Sequence, residues 1–428
     1  MSGNKKQPLV PRLRFPEFKN TAEWQSPTLG EVSEPVEERV GERKLTPVSI
    51  SAGIGFVPQA EKFGRDISGS QYKLYTVVRD GDFVYNKGNS LKFPQGCVYD
   101  LQGWGEVAAP NVFICFRLKN GYENGFYRQC FERNVHGIQL RKHITSGARS
   151  NGLLNISKEA FYGVAIPVPS HAEQQKIADC LSSLDDLIAA ETQKLDTLKT
   201  HKKGLMQQLF PREGETVPRL RFPEFREAGE WEIKSLGTVC TVLQGYGFPE
   251  TLQGRTEGQY PFCKVSDISR SVAENGGFLA KAANYVNAND LATLRAKLIP
   301  IGATVFAKIG EALRLNRRAF VQCECLIDNN AVGLKAVPGV ANDYFIYLLS
   351  QLINLNDHCG GAVPSVNKST LEAIEVVVPE VDEQEKIAAS MSYHDELIRN
   401  QEKKLGILKI HKAGLMQQLF PVLNGEQA

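Results

Sequence analysis

The chain has 428 residues, 42% of them hydrophobic and 23% charged, which suits two or three domains, each able to bury a core of its own. It contains no apolar run of about 18 residues, and its start, Met1 to Lys6, lacks the apolar stretch of a secretory signal. The expectation is therefore a cytoplasmic protein that spans no membrane. The net charge of +2 hides an asymmetry: residues 1–170 carry 22 Lys and Arg against 16 Asp and Glu, while residues 212–380 carry 17 against 19. The first half fits a polyanion without demanding one.

In chain order, a lead-in segment over residues 10–30 contains Val10-Pro11-Arg12-Leu13-Arg14-Phe15-Pro16-Glu17-Phe18, then Glu23-Trp24 and Leu29-Gly30. Next comes a domain to residue 170. Within it, Gly81-Asp82-Phe83-Val84-Tyr85-Asn86-Lys87-Gly88 reads as a turn glycine, a short alternating strand and a basic loop. Ala109-Pro110-Asn111-Val112 and a polar stretch near 141–151 follow. Residues 171–211 then follow a strict 4-3 register: Ile177, Leu181, Leu184, Ile188, Glu191, Leu195, Leu198, Lys202, Leu205 and Leu209. A seven-residue apolar period of this length is a coiled-coil seam. Pro169 and Pro211 bracket the helix, and Ser170 with Glu173 has capping-box spacing.

The chain then repeats itself. The string at 10–18 recurs unchanged at 217–225, in a second lead-in segment over 217–237 with Glu230-Trp231 and Leu236-Gly237. A second domain extends over 212–380, with Gly302-Ala303-Thr304-Val305-Phe306-Ala307-Lys308-Ile309-Gly310 and Asp328-Asn329-Asn330-Ala331-Val332 in places comparable to the strand and the Asn-bearing turn of the first. Residues 381–428 form the second helix and a tail. Its seam is Ile387, Met391, His394, Ile398, Gln401, Leu405, Leu408, Lys412, Leu415 and Leu419, and 23 of the 39 positions at 383–421 equal those at 173–211. Between the shared segments the two halves look unalike, as suits a common frame carrying two different readers.

Each helix, at roughly 37 residues, would run about 55 Å. A lone helix with such a stripe needs a partner, and its twin is the expected one, antiparallel, so that a pseudo-two-fold relates the halves. The expected fold is thus α+β: two mixed α/β domains separated by two long helices that pair as an antiparallel coiled coil.

The order of parts resembles the specificity subunits of type I restriction–modification systems. The resemblance spans essentially the whole chain. It rests on the Leu-Arg-Phe-Pro-Glu-Phe lead-in with Trp and Leu-Gly, on Ile166-Pro167-Val168-Pro169 before Glu173 to Ala178 with its counterpart Val376 to Pro379 before Glu383 to Ala388, and on the terminal Gly-Leu-Met-Gln-Gln-Leu-Phe-Pro of both halves. The resemblance implies a non-catalytic chain in which each variable domain is a target recognition domain reading one half of a split, asymmetric site in double-stranded DNA. It implies helices that set the half-site spacing and dock two methyltransferase subunits, with endonuclease/translocase subunits joining them. S-adenosylmethionine, ATP and Mg²⁺ then belong to those partners, and no cofactor is expected on this chain.

The residues agree with the absence of catalysis. There is no Gly-x-x-x-x-Gly-Lys-Ser/Thr loop and no Asn/Asp-Pro-Pro-aromatic motif. Glu42-Arg43-Lys44 and Glu232-Ile233-Lys234 have nuclease-like spacing, but such triplets arise by chance in a charged chain. Cys323 and Cys325, the nearest cysteine pair, and the histidines His136, His143 and His358 read as ordinary core or surface residues, so no metal site is expected.

The expected DNA contacts lie on the loops after the matched strands: Lys87, Asn89, Ser90 and Lys92 in the first domain, and Lys308, Arg314, Asn316, Arg317 and Arg318 in the second. Arg141, Lys142, Arg149 and Asn151 form a further polar stretch. Arg pairs bidentately with guanine and Asn with adenine, and either Lys or Arg holds phosphate. The aromatics shared by both lead-ins, Phe15, Phe18 and Trp24 with Phe222, Phe225 and Trp231, are expected to pack rather than stack on bases, because readers should differ between halves. The competing reading is a coiled-coil adaptor that binds only protein.

Overall fold

The computed structural model describes residues 9–88, 93–144, 154–360 and 363–422. They form two compact units, one built from the chain up to residue 190 together with residues from 405 onward, the other from residues 191–404.

In the first unit an antiparallel sheet has the strand order Ser33–Pro35, Ile114–Leu118, Phe83–Asn86 and Cys97–Asp100. A second sheet orders Gly55–Pro58, Thr46–Ser51, Glu106–Ala109 and Thr76–Arg79. Side chains alternate across the strand Phe83–Asn86. Phe83 and Tyr85 enter an aromatic core with Phe116, Phe131 and Phe161, while Val84 faces Val48, Ile50, Val78 and Val107. Both faces are covered, which explains the near-continuous apolar character of the strand.

The second unit repeats the first four places of that sheet. Its order is Cys240–Gln244, Ala331–Ala336, Thr304–Ala307 and Ala319–Val321, with Phe278–Leu279 added at the edge. Val305 and Phe306 divide between two cores as Val84 and Tyr85 do. Gly81 at φ +91° and Gly302 at φ +84° turn the chain into these matched strands. At Gly302 the positive φ favours glycine, and a Cβ would displace the Asp343 carboxylate, whose oxygen would lie 2.5 Å away.

The lead-ins are structural. Trp24 packs edge-on to Phe126 and Phe420, at 5.7 and 6.3 Å between centroids. Trp231 packs the same way on Phe210 and Phe345, at 5.9 and 6.1 Å. The rings that sequence reasoning weighed as base-stacking platforms are thus covered in the case of both tryptophans.

The long helices are His171–Leu209 and Val381–Leu419, 39 residues each. At both starts a glutamine side chain ties helix to domain. Gln174 donates to the Pro169 carbonyl and accepts from the Glu123 amide; Gln384 donates to the Pro379 carbonyl and accepts from the Asn342 amide.

Pairing is antiparallel. In the second unit Gln401 donates to the Glu191 side chain at 2.6 Å, and Lys202 donates to Asp395 at 2.6 Å, so partners fall in number as the first helix advances. In the first unit Lys412 sits between Asp185 at 2.8 Å and Glu132 at 2.9 Å. Burial works against the Lys412 charge, and the two carboxylates more than offset it, so its proton is held more tightly than usual.

Every apolar seam position is buried or half-buried. Ile177, Leu181, Leu209, Ile387, Met391, Ile398, Leu405 and Leu419 are buried, and Leu184, Ile188, Leu195, Leu198, Leu205, Leu408 and Leu415 are half-buried. Met206 and Met416, one step off the seam, are also buried, because the helix ends pack into the domain cores beside Phe210 and Phe420. Heptad reading does not reveal that second contact.

Candidate nucleic-acid interface

The two loops that follow the matched strands are held in the same way. The Lys87 carbonyl accepts from the Leu154 amide at 2.9 Å, and the Lys308 carbonyl accepts from the Val366 amide at 2.9 Å. In each unit the loop end is thereby fixed beside a second, distant stretch of chain. In the first unit Lys87 is thus placed beside Leu154; Arg141 and Lys142 are exposed on a short turn, Arg141–His143. Asn89, Ser90, Lys92, Arg149 and Asn151 lie outside the described residues.

The base of the first loop is built rigidly. Asn86 accepts from the Gly88 amide at 2.7 Å and donates to the Ile50 carbonyl at 2.8 Å. Tyr85 donates to the Gln95 carbonyl, and Asn134 donates to the Gln95 side chain. Gly96, at φ +81°, leaves room for the Asn86 carbonyl, which a Cβ would approach to 2.4 Å. None of these supports is a basic residue, and charge patterning alone passes over them.

In the second unit Lys308 donates to Gln244 at 3.1 Å. The chain then forms a helical turn, Glu311–Arg314, whose Arg314 is exposed and 3.7 Å from Glu311. Arg317 is half-buried.

Asn316 and Arg318 depart from the sequence expectation. Asn316, at φ +52°, donates to the Ile353 carbonyl at 3.0 Å and accepts from the Leu355 amide at 3.1 Å. Arg318 is 4% exposed, lies 4.4 Å above the Phe306 ring, and donates to Asn316 and the Ile353 carbonyl. Burial pushes its guanidinium down to about 9. Both side chains fasten the loop internally, Arg318 buried and Asn316 half-buried with its amide engaged on both sides. The left-handed turn at Asn316 is what sends Arg318 inward while Arg314 stays out.

His136 also lies in the core, between Tyr85 at 5.8 Å and Phe131 at 5.7 Å, and burial pushes it down to about 4. Among the described residues no cluster of three or more His, Cys, Asp or Glu is placed to hold a metal, and no helix is long and apolar enough to cross a membrane.

The sequence profile for the type I restriction modification DNA specificity domain matches residues 79–200 and 228–408. The chain is 26% identical over 364 residues to the "Putative type I restriction enzyme MjaX specificity subunit" of Methanocaldococcus jannaschii, covering 83% of this chain and 81% of that one. It is 25% identical over 273 residues to the type I restriction enzyme MjaIX specificity subunit of the same organism, covering 62% of each. Among solved structures, the fold matches the type I restriction–modification S subunit from M. genitalium with a TM-score of 0.59 and 13% identity, over 97% of this chain and 100% of that one. It also matches, at TM-score 0.55 and 16% identity over 93% and 97%, a chain from a structure of type I R-M complex assembly and conformational transition. With both copies of its repeat covered by one family and with the duplicated sheet and helix frame described above, this chain belongs to the type I restriction–modification specificity subunits, the DNA-recognition and non-catalytic component of those enzymes.

Proposed function

We propose that the two units read two different half-sites of one bipartite, asymmetric DNA sequence, and that the chain carries methyltransferase and endonuclease subunits to that site. The observation behind this reading is the loop pair anchored at Lys87–Leu154 and Lys308–Val366. The frame beneath the two loops is the same, and the residues on them differ.

On this reading Lys87, Arg141 and Lys142 serve the first half-site, and Lys308, Arg314 and Arg317 the second. Asn89, Ser90, Lys92, Arg149 and Asn151 stay in the proposal by sequence alone. The paired helices set the spacing between the half-sites and receive two methyltransferase copies. S-adenosylmethionine, ATP and Mg²⁺ act on those partner subunits. The domain limits follow the same division: recognition over 1–170 and 212–380, helices over 171–211 and 381–428.

Footprinting of the complex reconstituted with its methyltransferase tests the proposal. Two short protected blocks separated by an open gap are expected. A complex that assembles but protects no DNA would favour the protein-only adaptor.

A further inference from the structure

Position 394 interrupts the second helix's apolar seam with a histidine where the first helix has Leu184. A polar ring at a seam position weakens a coiled coil unless it has a partner. Here the partner is another imidazole. His201, from the facing helix in the same unit, has its ring centroid 5.3 Å from that of His394, with the planes tilted by 43°. His201 is exposed and His394 half-buried, so the pair opens to solvent.

Two features of this pair match a shared metal ion. The first is distance. A zinc-class ion binds imidazole nitrogen at about 2.0–2.1 Å, which places it about 3.2 Å from a ring centroid. Two rings on one tetrahedral ion then have centroids about 5.2 Å apart, close to the separation observed. The second is tautomer. His394 Nδ1 lies 2.8 Å from the Ser390 carbonyl. A carbonyl only accepts, so Nδ1 carries the proton and Nε2 keeps its lone pair. A backbone carbonyl holding the distal N–H is the usual outer support of a metal-bound histidine.

Neighbouring charges leave the site open. Lys202 and Tyr344 both engage Asp395, which removes that carboxylate from competition. Lys199 pairs with Glu402 at 2.7 Å, and Lys404 pairs with Glu191. Among the described residues no third His, Cys, Asp or Glu completes a cluster.

We propose that His201 and His394 form a two-imidazole site for a divalent transition-metal ion of the zinc, nickel and copper class. Water fills the remaining positions, so the ion exchanges. The bound ion clamps the two helices together within the second unit. The first unit has no equivalent, because His411, the counterpart of His201, is matched there with Leu184 in place of a second histidine.

The test is calorimetric titration of the full chain, stripped with chelator, using Ni²⁺ and Zn²⁺ in turn. The variants are His201→Ala, His394→Leu and, as a control, His411→Ala. His394→Leu installs the side chain that the first helix carries at the same register, so it is expected to fold. One equivalent of Ni²⁺ should bind the parent chain, with affinity at least about tenfold lower in the first two variants and unchanged in the third. Ni²⁺ should raise the Tm of the parent and of His411→Ala, and leave the other two unmoved. Absence of Ni²⁺ and Zn²⁺ binding at millimolar concentration in the parent would overturn the site. So would equal affinity in the parent, His201→Ala and His394→Leu.

Discussion

Arg14 grips Glu173 with two parallel hydrogen bonds, 2.7 Å from Nε and 2.6 Å from Nη2, and Arg221 grips Glu383 at 2.7 and 2.6 Å through the same atoms. Both carboxylates are buried, and each guanidinium also donates to two carbonyls of its own lead-in. The lead-in is thus fastened to the start of its helix by a fork that fits a carboxylate and two carbonyls at once, which a lysine does not reproduce. Arg14→Ala leaves Glu173 buried and unpaired and should destabilise the first unit by about 3–5 kcal/mol. Urea unfolding followed by tryptophan fluorescence should show a lower midpoint, with Arg14→Lys restoring only part of it.

The exposed Arg314 and half-buried Arg317 should separate in assay from the buried Arg318. Replacing Arg314 and Arg317 by Ala should weaken DNA binding by about 1–3 kcal/mol and flatten the salt dependence by about one unit for each phosphate no longer neutralised. Thermal stability should barely change. Arg318→Ala should do the reverse: it empties the space over Phe306 and unfastens Asn316, so Tm falls even where residual binding keeps its salt slope. Parallel measurement of Tm and of affinity at two salt concentrations decides the assignment. Equal effects of all three variants on the salt slope would refute it.

Lys202 and Asp395 form a largely buried pair across the helices, joined by Tyr344. Removing one charge strands the other. Asp395→Ala should therefore cost about 3 kcal/mol, whereas the double variant Lys202→Met/Asp395→Ala should recover most of that loss. A double-mutant cycle on chemical unfolding reads the coupling directly. If the double variant is no more stable than Asp395→Ala, the pair contributes through packing rather than charge.

His136 gives the first unit an acid sensitivity. In the fold the ring takes up a proton only near pH 4, because burial disfavours the charged form; in the unfolded chain it does so near about 6.5. Its contribution to stability is complete above about pH 6.5 and falls as the pH drops toward 4, because the unfolded chain binds the proton first. The loss approaches about 3 kcal/mol. His136→Leu should remove this part of the pH dependence, seen as a flatter plot of unfolding free energy between pH 7 and 4.

Much of this architecture is legible in the sequence because the repeat states it twice. The strand pair Phe83–Asn86 and Thr304–Ala307, the helix starts after Pro169 and Pro379, and the seam leucines all follow from spacing. The loop chemistry is less legible. Three of the five residues from Arg314 to Arg318 are arginine, and in one dimension they look alike. In the fold Arg314 is exposed, Arg317 half-buried and Arg318 buried, and nothing local in the sequence separates a groove-reading asparagine from one that caps the Ile353 carbonyl. The Gln95, Asn134 and Gly96 supports are equally silent, because their role depends on partners up to 39 residues away.

The anchoring of each loop through the main chain, by bonds such as Lys87 to Leu154 and Lys308 to Val366, has a consequence for descent. A main-chain tether does not depend on which side chain occupies the position. Loop residues whose side chains leave the core untouched, such as the exposed Arg314, can therefore be replaced without disturbing it, whereas the buried Arg318 cannot. If the loops read DNA as proposed, a lineage of such proteins can change the sequence it recognises while inheriting its scaffold.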